Sequence, residues 1–311
     1  MRAPAEEAKD MEVIEHTVTD LNYTLGEKIA TRAAFGKILH KVARKDPRVI
    51  GVDMDVKNST MLQELYDNIP DQFCNCFVAE QNGVGVSLGL SWRQRIPFVG
   101  TFATFFTRGF DHIRMAAVSQ GNVKYIGSHC GVTVGVDGPS QMGLEDIAMF
   151  RTIPGIKIYY PSDAVSLEWA VAYALNYNGA VFIRTNRPVT PVLYANDTQF
   201  EDGKSRILKQ SDDDKVTIIG AGITLAEALE ANTILEAEGI KTTVIDLFSV
   251  KPVDRDTIVE AARKTDNKVL VVEDHYPEGG CAEAVMAATA RDGLQIHHLA
   301  VFELPHSGQP Q

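Results

Sequence analysis

Four cysteines in 311 residues are too few for a disulfide framework, and their spacing offers no second pair for a zinc site. Cys74 and Cys76 form a single C-x-C pair, with Cys130 and Cys281 far away along the chain. Strand alternation puts Cys74 and Cys76 on one face, where they are expected as small core residues. No apolar run reaches the roughly 18 uncharged residues that a bilayer-spanning helix needs. Positive charge is also in short supply: 30 Lys and Arg face 41 Asp and Glu, a net charge of −11. Such a balance speaks against nucleic acid or an anionic membrane surface as the main partner. An anionic substrate would therefore need a local basic cluster. The first 20 residues are acidic and polar without an apolar stretch, so the expected compartment is the cytosol.

What remains is an ordinary globular composition, 45% apolar and 23% charged, in a chain long enough for two domains. Residues 1–27 lack steady periodicity and read as an acidic arm or the remnant of an interdomain linker. From residue 28 to about 190, apolar runs at Val49–Val52, Cys74–Ala79, Ile96–Val99, Val123–Ile126, Ile156–Tyr160 and Ala180–Ile183 alternate with helical patterns. Those patterns lie at Thr31–Ala43, Glu80–Trp92, Phe105–Val118, Gly143–Arg151 and Ala164–Leu175. Alternation of this kind predicts an α/β fold with a mostly parallel, doubly wound sheet. Prolines and a polar stretch over residues 191–214 mark a linker. Residues 215–311 then read as a second, smaller doubly wound α/β domain. In it, Gly220-Ala221-Gly222 lacks the third glycine of a dinucleotide fingerprint, and a tight strand-to-helix turn explains it.

One carboxylate stands out. Glu80 sits where an apolar strand ends and a helix bearing Gly83, Gly85 and Gly89 begins. Each helical glycine costs about 1 kcal/mol relative to alanine, so a close neighbour, a second subunit or a cofactor, is expected against that backbone. An acid at a helix start is also ordinary, so Glu80 alone leaves both readings open.

Further segments fall at the carboxyl ends of the first domain's strands, where open α/β sheets bind ligands. They are residues 28–32, Asp53-Met54-Asp55 through Thr60, residues 78–82, residues 100–108, Gly127-Ser128-His129-Cys130-Gly131, residues 137–142 and residues 182–188. Together, in this order, they resemble the pyrimidine-binding domain of transketolases, followed by a segment similar to that family's C-terminal domain. The resemblance runs from about Lys28 to Pro310.

The resemblance implies thiamine diphosphate as cofactor. Glu80 would share a proton with a ring nitrogen of its aminopyrimidine, and Phe102, Phe105, Asp55 and Arg108 would join Glu80 in binding it. Three residues apart, Phe102 and Phe105 can share a helical face or turn. Sugar phosphate substrates would meet Arg32, Ser59, His129 and Arg187, with Asp137 on a substrate hydroxyl. His129 and Gln141 complete the catalytic set with Glu80; Gln141 can bond a hydroxyl but cannot exchange a proton at neutral pH. Ser59 also reads as the N-cap of a helix starting at Thr60. Met54 stands where the family has glycine, and its added side chain is expected to narrow the site.

The family's Gly-Asp-Gly motif, which serves the diphosphate and Mg²⁺, occurs nowhere in the chain, so no metal ligand is expected here. The resemblance therefore implies a half-enzyme. A diphosphate-binding domain or subunit would supply the Mg²⁺ site, in a homodimer or heterotetramer. Two other readings remain: a non-catalytic, regulatory partner with the same fold, and the beta subunit of a 2-oxo acid dehydrogenase decarboxylase component.

Overall fold

A computed structural model describes residues 21–309. The expected arm lies mostly outside them, but its last residues pack against the body. Tyr23 exchanges hydrogen bonds with Asn196 at 3.1 and 2.9 Å and donates its hydroxyl to Glu168.

The first part of the chain runs β1 (Lys28–Ala30), α1 (Thr31–Ala43), β2 (Val49–Asp53), α2 (Lys57–Thr60), α3 (Gln63–Asn68), β3 (Phe73–Asn75) and α4 (Glu80–Trp92). It continues with β4 (Ile96–Phe102), α5 (Phe110–Val118), β5 (Lys124–Ser128), α6 (Asp146–Arg151), β6 (Lys157–Tyr159), α7 (Ala164–Asn176), β7 (Val181–Arg184) and β8 (Val189–Pro191). After a connection come β9 (Arg206–Lys209), β10 (Thr217–Gly220), α8 (Ile223–Ala237), β11 (Thr243–Asp246), β12 (Ser249–Lys251), α9 (Arg255–Lys264), β13 (Lys268–Val272), α10 (Cys281–Ala288) and β14 (Gln295–Leu299).

Two mainly parallel sheets organise these elements. The larger has seven strands in the order β12-β6-β7-β5-β4-β2-β3, and the smaller has five in the order β14-β13-β10-β11-β9. β12 follows β11 in sequence, yet it pairs antiparallel with β6 in the larger sheet. One face of that sheet is covered by α1 and α7, through a core that includes Phe35, Leu39, Phe98 and Val171. The other face packs α4, α5 and α6 in a core that runs on into the second unit through Ile219, Val250 and Ile258. Apolar burial therefore continues across the junction of the two sheets.

Several local expectations change. The strand expected over Cys74–Ala79 ends at Asn75, because Phe77 takes a left-handed φ of 56°. Residues 103–109 form a 3-10 turn, so helix α5 begins at Phe110, not Phe105. Ser59 lies inside the short helix α2, whose N-cap position belongs to Val56. In the second unit, Gly222 (φ 57°) leaves room for the Tyr160 ring, and a Cβ there would lie 2.1 Å from it.

Met54 does not narrow the site. Its side chain is 1% exposed and turns into the core beneath α4, where a Cβ added to Gly83 would lie 2.6 Å from Met54 Sδ. Gly83 is thus approached by this chain's own side chain, whereas Gly85 and Gly89 have open space around them. Gly83→Ala should lower stability by about 1 kcal/mol net, as overpacking outweighs the gain in helix propensity. In a urea-denaturation double-mutant cycle, Met54→Ala should relieve that loss; strictly additive effects would show that the two positions do not compete for space.

Candidate functional site

Strand order places the loops after β2 and β4 side by side at the carboxyl edge of the larger sheet, while their chains leave in opposite directions, β2 towards β3 and β4 towards β5. A crevice opens at such a divergence. Asp53, fully buried, holds one wall: its carboxylate accepts from the N–H groups of Asp55 and Val56 at 2.9 and 3.1 Å. Burial raises its pKa above the usual carboxylate range. Asp55 follows at φ 66°, exposed at the rim.

Glu80 is the first residue of α4 and only 4% exposed, its side chain 6%. Its carboxylate accepts from Arg108 Nη1 at 3.0 Å, and the same nitrogen donates to the Val78 carbonyl at 3.2 Å. The Arg108 side chain is 58% exposed, and Phe77 and Val78 beside it are 69% and 64% exposed. Apolar and aromatic surface therefore faces outward around an acid tethered to a solvent-facing guanidinium.

Behind this edge, three rings form one pile. Phe105 stacks on Phe102 with centroids 5.0 Å apart and planes within 4°, and Phe102 stacks on His129 at 3.9 Å and 5°. The Phe pair shares no helix: Phe102 ends β4 and Phe105 sits in the 3-10 turn. His129 follows β5 at φ 57°, with Nδ1 3.0 Å from the Ser128 hydroxyl.

Beyond His129 lies the basic cluster. Arg32 Nη1 donates to the Ser59 carbonyl at 3.0 Å, so it is the backbone of Ser59 that Arg32 engages. Arg187 Nη1 pairs with Asp137 Oδ2 at 2.6 Å and reaches the Val134 carbonyl at 3.2 Å. The Arg32 pKa is lowered by burial and then by the charge of Arg187. Burial first, then Arg32 and Arg187, push the His129 pKa down to about 4, against a smaller opposing pull from Asp137. Arg32, His129, Asp137 and Arg187 thus share one electrostatic neighbourhood, and His129 is neutral at physiological pH. Gln141 lies in the same loop as Asp137, and its amide oxygen accepts from the Ser140 hydroxyl.

No group of three or more His, Cys, Asp or Glu suited to a metal ion exists among the described residues. Residues without an expected role also converge here: Arg184, Asp146 and Asp274 form a buried polar knot under the His129 loop. A charged residue ending the apolar run Val181-Phe182-Ile183 was the available signal.

Comparison with known proteins identifies the family. The family profile described as "Transketolase, pyrimidine binding domain" matches residues 27–192, and "Transketolase, C-terminal domain" matches residues 203–311. Transketolase-like protein 2 of Mus musculus is 50% identical over 312 residues, covering 99% of this chain and 50% of the relative. Transketolase of Homo sapiens is 47% identical over 310 residues, again 99% of this chain and 50% of the relative. The chain spans about half the length of these relatives. A solved structure described as "Split gene transketolase, inactive beta4 tetramer" superposes with a TM-score of 0.81 at 36% identity, covering 89% of this chain and 91% of that one.

The charges around His129 make its titration a probe of the cluster. Arg187→Gln should raise the His129 pKa from about 4, yet leave it below 6.5 because burial is the larger cause. Asp137→Asn should lower it further. Histidine-labelled NMR titration reads both; opposite signs would show that these groups do not face the imidazole.

Proposed function

The chain belongs to the transketolase family, and on that premise we propose that it is the pyrimidine-binding half of a transketolase, working only with a partner that carries the diphosphate and Mg²⁺ site. The reaction would move a two-carbon ketol unit from a ketose phosphate to an aldose phosphate. The observation that carries this reading is the Glu80 carboxylate held by the solvent-facing Arg108 next to exposed Phe77 and Val78, in a chain that also brings Arg32 and Arg187 together about His129.

When bound, thiamine diphosphate supplies a carbon centre able to hold negative charge, chemistry that no side chain here can offer. The chain's own residues do the rest. Glu80 holds a proton at a ring nitrogen of the pyrimidine, and Arg108 keeps its carboxylate aimed at the open edge. Phe105 and Phe102 give that ring an apolar wall. Arg32 and Arg187 bind the phosphate of the sugar through charge-assisted hydrogen bonds. Neutral His129 and Gln141 bond sugar hydroxyls without adding charge, and Asp137 both accepts a hydroxyl proton and steadies Arg187.

A partner also has a place to sit. Gly85 and Gly89 leave the outer face of α4 bare, and Trp92, 66% exposed, continues it towards Met115 and Val118 on α5. An apolar face of this kind is expected to be covered in a homodimer or heterotetramer. That the neighbouring split-gene chain is described as an inactive tetramer supports the same requirement for a second chain. The cluster of two arginines favours this reading over a 2-oxo acid decarboxylase subunit, whose substrates carry no phosphate.

Calorimetric titration of thiamine diphosphate with Mg²⁺ should show binding to the chain mixed with a diphosphate-domain subunit and none to the chain alone. Glu80→Gln in that mixture should cut ketol transfer by orders of magnitude while the far-UV spectrum and Tm stay near wild type; near-normal turnover rejects the assignment. Arg187→Ala should raise KM for sugar phosphates more than for unphosphorylated acceptors, since one charge-assisted contact is worth about 1.5–3 kcal/mol. Equal effects on both acceptor types would remove Arg187 from the phosphate site.

A further inference from the structure

The loop that carries His129 does not hold its own shape. His129 at φ 57° and Gly131 at φ 73° are both left-handed, a conformation that costs a non-glycine residue about 1 kcal/mol or more unless its surroundings impose it. Part of the restraint comes from the loop 142–146: Gly131 N–H donates to the Gly143 carbonyl at 2.8 Å, and Gly143 N–H donates back to the His129 carbonyl at 3.1 Å. The remaining restraint comes from the second unit. Asp274, two residues past β13, accepts the Val132 N–H on Oδ1 at 2.8 Å. Its other oxygen, Oδ2, lies against Gly131, where an added Cβ would be only 1.6 Å away.

Asp274 is itself held tightly. Its carbonyl accepts from Arg184 Nη2 at 2.8 Å, and Arg184 is fixed in turn by Asp146, with Nε at 2.8 Å from Oδ2. Oδ2 of Asp274 and Nη1 of Arg184 are buried with no hydrogen-bond partner. An acid with one unbonded buried oxygen is a costly choice for filling space, and an apolar residue of similar size would pack without that cost. What an apolar residue could not do is answer the nearby charge of Arg184 and also accept the Val132 N–H, as this one carboxyl group does.

We propose that Asp274 is a positioning residue for His129, clamping the 129–132 loop from the second unit so that the imidazole stacks on Phe102 at the substrate end of the site. The smaller sheet then completes the shape of a site whose contacting side chains all belong to the larger one. The use of His129 towards a sugar phosphate rests on the function proposed above; the clamp itself does not.

The test uses the full chain with ¹³C-labelled histidine, the His129 ring signals being assigned by their loss in His129→Gln. Protons lying over the Phe102 face are shielded, so the native signals should stand upfield of those from the other seven histidines. Asp274→Ala removes the acceptor and should move the His129 signals downfield. Asp274→Asn keeps an acceptor oxygen and should return them close to the wild-type position. Val132→Pro removes the donor instead, at the first position of a 3-10 turn where proline is tolerated, and should reproduce the alanine effect even if Asp274→Ala fails to fold. Asp246→Asn serves as control: it weakens a different junction between the units, where Asp246 accepts from Ser162 at 2.7 Å and Tyr194 at 2.6 Å, and should leave His129 unmoved. Unshifted His129 signals in the folded loop variants would overturn the clamp, as would equal displacement by Asp274→Asn or by Asp246→Asn. None of these spectra depends on thiamine diphosphate, so a failed cofactor titration and a failed clamp are separate results.

Discussion

Fully buried, the charge of Arg184 has to be met by protein, and the groups that meet it come from three distant stretches of chain. Asp146 at the start of α6 takes Nε, and the carbonyls of Gly143 and Asp274 take Nη2, each at 2.8 Å. The Tyr160 ring lies 4.5 Å from the guanidinium carbon on another side. Stripping such a charge of water costs several kcal/mol, and the cost is recovered only when the partners stand together with good geometry. The 143–146 loop, the strand β7 and the segment after β13 are therefore either all in place or all loosened. Because Asp274 belongs to the second unit and Gly143 helps shape the His129 loop, the contacts of Arg184 tie this part of the second unit to the site. The continuous apolar core and the strand β12, which crosses from one unit into the other's sheet, pull in the same direction.

Much of this fold could be read from the residues alone. The helices over Thr31–Ala43 and Glu80–Trp92 lie where the helical pattern places them, and most strands fall on the apolar runs, but β9 (Arg206–Lys209) forms inside the stretch expected as a linker, where it pairs with β11. What escaped reading was whatever depends on a neighbour far off in sequence. Ser249-Val250-Lys251 is too short to announce a strand, and only its pairing with β6 makes it one. Met54, expected to crowd the site, instead fills the gap left by Gly83, a contact that no local pattern encodes. Ser59 has the side chain of a cap but stands inside a helical turn, so its contribution to Arg32 is a carbonyl that any residue could supply.

The site residues divide in the same manner. Glu80 stands out as a charge where a strand gives way to a helix, whereas Arg32, Asp137 and Arg187 are expected through the family resemblance, and the fold gathers these three about His129. Arg184, Asp146 and Asp274 could not, because a fully buried ionic cluster is invisible until the segments meet. From the sequence, Arg184 is merely the polar end of an apolar strand.

The neutrality of His129 follows from this arrangement and sets what the basic cluster can do. A chain of net charge −11 repels anions at long range, so attraction must be concentrated where Arg32 and Arg187 approach each other. Two guanidiniums already disfavour each other there, and a protonated imidazole would add a third like charge in a half-buried setting, which is why burial and the arginines together hold its pKa near 4. The uncharged ring can then lie flat on Phe102 without carrying a desolvated charge. Two fixed positive charges suit a phosphate dianion, and Asp137, by pairing with only one of them, leaves the cluster positive when no anion competes. Charge, stacking and loop shape are thus three consequences of keeping one imidazole dry, and the clamp from the second sheet is what keeps it there.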